Sequence, residues 1–125
     1  MITPFDILDE AKALLDLPPE TRTEARRRTI IGRCYYAAYQ HLSSHEIAKD
    51  YCRTPGQNVG MHKSFLDYLK RVKRPDVYNA VRVLEFLRRW RTTADYHLKD
   101  SIDDALEETC WNQANKLMSE ILPPA

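Results

Sequence analysis

The sequence predicts an all-α protein: an antiparallel four-helix bundle with an additional short N-terminal helix. Three observations predict it. The prolines fall at the ends of periodic segments rather than inside them. Only three glycines occur, two of them in one short stretch. No run alternates apolar and polar residues with turns every 8–12 positions, as a β protein would. At 125 residues the chain fits one domain, residues 1–125, with enough length to bury a core without metals or disulfides.

The punctuation gives five helices. The first spans Pro4 to about Leu17: Thr3 suits the N-cap, Pro4 the first helical position, and Asp6 completes a capping box. Pro18 and Pro19 end it. The second starts near Thr21–Thr23 and continues to about Lys49, a length of about 40 Å at 1.5 Å per residue. Tyr51–Gly60, rich in turn residues, reads as a loop. The third helix covers Met61 to Val72, with Lys70, Arg71, Lys73 and Arg74 at its end, where cations suit the helix dipole. The fourth runs from about Asp76 to His97. Ser101 with Asp104 is the expected cap of the fifth, which ends before Pro123. Helices two and four, long and similar, are expected to stack antiparallel, with three and five filling the remaining faces and helix one as an accessory.

Composition narrows the function classes. Hydrophobic residues make up 43% and charged residues 30%, a globular balance. The apolar runs are far shorter than the roughly 20 residues of a membrane helix. The N-terminus has no basic segment followed by an apolar one, so the expected location is cytoplasmic, with no membrane partner. Cys34, Cys52 and Cys110 form neither a disulfide framework nor a zinc knuckle, and Cys34 and Cys110 are expected to be small buried hydrophobes. A net charge of +1 means that any nucleic-acid binding has to come from a local patch.

The helix faces carry the chemistry. On helix four, Val77, Ala80, Val81, Leu84, Leu87 and Leu98 form one apolar stripe, and Arg91 lies near its centre with Asp95 one turn on. An unpaired charge there is costly, so Asp95 is the expected partner. Such a pair either pins helix register or holds an arginine ready for a phosphate. Helix two buries Ile30, Ile31, Cys34, Ala37, Ala38 and Leu42, and His41 and His45 project on that side. Two histidines one turn apart can hold a metal only with a third ligand, for which His62 or an acid is available; hydrogen-bonded edge histidines are the plainer reading. The opposite face carries Arg22, Arg26, Arg33, Tyr36 and Gln40. Cations interleaved with an aromatic and an amide suit a phosphate backbone and a stacked base, or simply a solvated face.

Three stretches together resemble the HEPN (higher eukaryotes and prokaryotes nucleotide-binding) domain family. Gly32-Arg33-Cys34-Tyr35-Tyr36-Ala37-Ala38-Tyr39-Gln40-His41 is similar to the family's R-x-YYAAYH segment. Gly60-Met61-His62 resembles a G-x-H turn. Arg91-Thr92-Thr93-Ala94-Asp95-Tyr96-His97 resembles both the R-x-x-ADY signature of one branch and the general R-x(4–6)-H motif.

The resemblance implies a helical homodimer paired through the motif helix, acting as a metal-independent endoribonuclease of toxin or defence type, with RNA as substrate and no cofactor. In many such systems a nucleotidyltransferase-like antitoxin neutralises the HEPN protein. On this likeness Arg91, His97 and Asp95 are the catalytic candidates, and Arg33, Tyr36 and Arg26 the RNA-binding ones. Histidine can shuttle the ribose 2′-OH proton near neutral pH, and arginine can stabilise the attacked phosphate, leaving a 2′,3′-cyclic phosphate. Six residues turn about 600°, so in a straight helix His97 lies roughly 120° around from Arg91. The two then share a site only if the helix ends there or a dimer partner supplies one of them. The alternative is a non-catalytic HEPN module binding a protein or nucleotide, with Arg91–Asp95 structural. A metal protein built on His41 and His45 is a third expectation.

Overall fold

The computed structural model describes residues 1–51 and 61–125; the Gly56 and Gly60 loop and Cys52 lie outside them. The described residues form five α-helices and no strand: α1 Pro4–Leu15, α2 Glu24–Ser44, α3 Met61–Lys70, α4 Pro75–Tyr96 and α5 Leu106–Lys116. No helix among them is long and apolar enough to cross a membrane.

Local chemistry sets most of the boundaries. Thr3 and Asp6 make the expected reciprocal capping box, the Asp6 carboxylate accepting from the Thr3 N–H at 2.7 Å. Thr23 caps α2 by accepting from the Arg26 N–H. α4 opens with Pro75 at its first position, and Asp76 behind it is held by Arg74 at 2.6 Å.

Two boundaries differ from expectation by more than a turn, whereas α1 and α3 each end two residues early. α2 stops at Ser44 rather than Lys49, because His45 turns extended at ψ 154° and its Nδ1 accepts from the Ile47 N–H. A short 3-10 turn, Glu46–Ala48, follows. α5 begins at Leu106 rather than Ser101. Ala105 occupies its N-cap in the left-handed region, φ 63°, and the Ser101–Asp104 cap is not used. That backbone costs a non-glycine residue about 1–2 kcal/mol, so tertiary contacts must hold it.

α2 is the central helix and packs against α1, α4 and α5. It runs antiparallel to α4: Arg28, early in α2, meets Thr93 and Ala94 late in α4, whereas Tyr36 further along meets Arg91. All six residues expected on the apolar face of α2 are buried, as are Val77, Ala80, Val81, Leu84 and Leu87 of α4. Leu98 is not: it lies beyond the end of α4 and is 70% exposed. Both short helices reach the core, α3 through Phe65, Leu66 and Leu69. α1 sends Leu8, Ala11 and Leu15 into the core and packs on both α2 and α5, whereas α3 rests chiefly on α4. A helix with only three inward residues still joins the bundle when they seal the seam between two others. Cys34 and Cys110 are fully buried, and burial pushes both thiols up, Cys110 to about 12.

Candidate functional site at the end of α4

Arg91 leaves the core stripe of α4 toward α2. Its side chain is 13% exposed; Nη2 donates to the Tyr36 hydroxyl at 2.7 Å, and Nε lies 2.9 Å from an Asp95 carboxylate oxygen. The Nε–H is buried without an aligned acceptor, so the Asp95 contact is an ion pair rather than a directed hydrogen bond. The rings of Tyr35, Tyr36 and Tyr96 surround the guanidinium at 5.2–5.7 Å from their centroids. Burial works against its charge, but Tyr36, Asp95 and Tyr96 outweigh this and the net shift is upward. Asp95 itself lies close to α2: a Cβ built on Gly32 would stand 3.6 Å from its carboxylate.

α4 ends at Tyr96, so the helix end that the sequence leaves open is real. His97 caps it at φ −111°, ψ 67°, yet its side chain does not fold back. It is 55% exposed, with Asp100 at 4.0 Å. Among the described residues no contact joins Arg91 to His97. The histidine in Arg91's neighbourhood is His62 of α3. Its Nδ1 is 2.5 Å from the buried Tyr35 hydroxyl, and burial, then Arg88 and Arg91, lower its pKa. The sequence marks His62 only as part of a turn motif and as a spare ligand; its link to Arg91 runs through a tyrosine 27 residues away in sequence.

The expected RNA-binding face of α2 divides. Arg33, Tyr36 and Gln40 line an open groove of about 510 Å³ against Ile2, Pro4 and Ile7. Arg26 is turned away from it, donating to the Thr21 carbonyl and hydroxyl. Arg22 belongs to the interior: it donates to the Leu15 carbonyl at 2.6 Å and pairs with Glu107 and Glu108.

No family model matches the chain. No solved structure matches it either. The chain is similar to an uncharacterized protein of Methanocaldococcus jannaschii, 34% identical over 113 residues. The alignment covers 79% of this chain and 66% of that protein's length. That relative lends no activity, so the site must speak for itself.

His41 and His45 have a different use from metal binding. His41 Nε2 meets the Leu122 carbonyl at 2.6 Å and His45 Nε2 the Pro123 carbonyl at 2.9 Å. These bonds clamp the tail after α5 to the end of α2 and leave those nitrogens committed.

A second cluster escapes the sequence reading. Glu107, 2% exposed, receives Arg27 Nε at 3.0 Å on each oxygen and Arg22 at 3.3 Å. Arg28 donates to Glu24 and to the carbonyls of Thr93, Ala94, His97, Leu98 and Asp100. It thereby caps the C-terminus of α4 and fixes where His97 leaves the helix. The signal was the triplet Arg26-Arg27-Arg28: three consecutive positions span about 200° of a helix, so they cannot all face solvent on an amphipathic one.

Proposed function

We propose that this chain is a HEPN-type, metal-independent endoribonuclease that works as a homodimer. One observation carries the reading: Arg91, half-buried and oriented by Tyr36 and Asp95, sits among three tyrosines of which Tyr36 and Tyr96 reach solvent. A phosphate can meet the guanidinium while bases stack on the exposed rings. His97, exposed at the end of the same helix, takes the proton of the ribose 2′-OH. The oxygen then attacks the adjacent phosphorus, Arg91 stabilises the charge that develops, and the 5′-oxygen leaves with a proton. The products are a 2′,3′-cyclic phosphate and a 5′-hydroxyl.

Because Arg91 and His97 diverge within one chain, each site draws its arginine from one copy and its histidine from the other. Exposed Tyr96 and Leu98 beside them supply apolar surface for that pairing. A nucleotidyltransferase-like antitoxin fits the same reading as the neutralising partner. Purified protein is expected to cut total RNA and transfer RNA in EDTA, and both Arg91→Ala and His97→Ala to abolish cutting. Mixing the two inactive variants restores activity if the site is shared. No restoration places both groups in one chain, and loss in His62→Ala with His97→Ala still active moves the proton transfer to His62.

The second reading, a non-catalytic module, is favoured by Arg91 Nη2 being already engaged by Tyr36. It requires that wild-type protein leave every RNA intact.

A further inference from the structure

Beside Arg91, on the face of α4 turned toward α3, lies an open groove of about 600 Å³. Lys63, Asp67 and Lys70 line it from α3, and Glu85, Arg88 and Arg89 from α4. The charges do not cancel. Lys63 pairs with Asp67 and Lys70 with Glu85, each at 2.9 Å, which uses both carboxylates. Arg88 and Arg89 then have no carboxylate partner among the described residues, and residues 52–60 contain no Asp or Glu that could supply one.

Arg88 is half-buried, and its charge adds to burial in lowering the His62 pKa. Arg89 rests against the Trp90 ring at 5.3 Å. The groove's two hydroxyls do not neutralise them: Thr92 and Thr93 donate to the Arg88 and Arg89 carbonyls. Two adjacent guanidiniums left without counter-charge in a concave site concentrate positive potential there. Guanidinium matches phosphate oxygens in pairs.

We infer that the α3–α4 groove holds backbone phosphates of an RNA strand, with Arg88 and Arg89 as the contacts, and delivers that strand to Arg91. The inference rests on the ribonuclease reading for the delivery and names a site that reading does not use. Arg88 lines the groove one turn before Arg91 on α4, which places the groove next to the Arg91 site. A strand is favoured over a free nucleotide because the groove is open and Arg88 and Arg89 leave α4 about 100° apart rather than converging on one point.

The test is fluorescence anisotropy with the full chain and a fluorescein-labelled 20-nucleotide uridine RNA, 2′-O-methylated so that it cannot be cut. Titrations run between about 50 and 200 mM salt. Arg88→Gln/Arg89→Gln is expected to bind about 10-fold more weakly at low salt, with a salt slope smaller by about 1.4, two phosphate contacts at about 0.7 each. Arg82→Gln, exposed on α4 and facing α5, is expected to match wild type. The single variant Arg89→Glu, at an exposed position, repeats the loss without threatening the fold.

Double-variant and Arg89→Glu affinities within about two-fold of wild type, with an unchanged slope, overturn the groove, whatever the cleavage assay gives. Wild type that binds this RNA through Arg88 and Arg89 but leaves unmodified RNA uncut keeps the groove and overturns the ribonuclease. Wild type that neither binds nor cuts RNA overturns both.

Discussion

Arg22, Arg27 and Arg28 at one end of α2 and Arg88, Arg89 and Arg91 along α4 are equal in number and opposite in circumstance. The first three are held by acceptors of the chain itself, with only the Arg22 Nε left buried and unbonded. A buried carboxylate, Glu107, holds two of them, and Arg28 alone reaches five backbone carbonyls. Of the second three only Arg91 has a carboxylate among the described residues, Asp95; it also meets tyrosine rings and a phenol, and Arg89 rests on the Trp90 ring. All six are arginines and five of them lie on the two long helices, so counting cations along the sequence cannot separate the groups. What separates them is the supply of acceptors: a saturated guanidinium is a strut, and an under-supplied one is a place for an anion.

The comparison breaks most sharply at Glu107. Glu107→Ala removes the only carboxylate of Arg27 among the described residues and leaves Arg22 with the exposed Glu108, and is expected to cost about 3–5 kcal/mol in urea unfolding. A loss below about 1 kcal/mol would mean that Arg22 and Arg27 find other partners, and the strut description would fail.

Next comes the pair Arg28→Ala and Arg91→Ala. The first is expected to cost about 2 kcal/mol and to raise hydrogen exchange across residues 97–103, because the carbonyls at the end of α4 lose their donor. The second is expected to cost less than about 1 kcal/mol, since the ion pair it removes is partly solvated. Equal losses would erase the distinction between the two groups.

The smallest effect concerns pH. Burial, more than neighbouring His45, lowers the His41 pKa from 6.5, and burial with Arg88 and Arg91 lowers that of His62. The unfolded chain therefore binds protons that the folded chain resists. This part of the stability is complete above about pH 6.5 and is lost as the pH falls through the lower folded values. Melting at pH 7.5 is expected to exceed melting at pH 5.5, with a smaller difference in His41→Gln. An identical difference in that variant would assign the dependence to other groups.

Much of the bundle was legible in the sequence because helix periodicity and capping are local. The capping box at Thr3–Asp6 and the buried faces of α2 and α4 follow from residues within a turn or two of each other. Arg91 with Asp95 was legible for the same reason, being one turn apart. The errors cluster where the deciding partner is remote. Ser101 looks like a cap, but Arg27 and Arg28 hold the backbone from Ala94 to Asp103 and leave the N-cap position to Ala105. Arg22 reads as part of a basic face until Glu107, 85 residues away in sequence, claims it.

The sequence by itself determined five helices, their apolar faces and the charged pair set into the stripe of α4. Only the tertiary structure decided that α1 packs on both α2 and α5, that Tyr36 and not His97 is Arg91's close companion, and which arginines find acceptors. The reason is range. Periodicity and caps are settled by neighbours on one helix, whereas the fate of a charge depends on which acceptors other helices bring within about 3 Å, and that is fixed only when the helices pack.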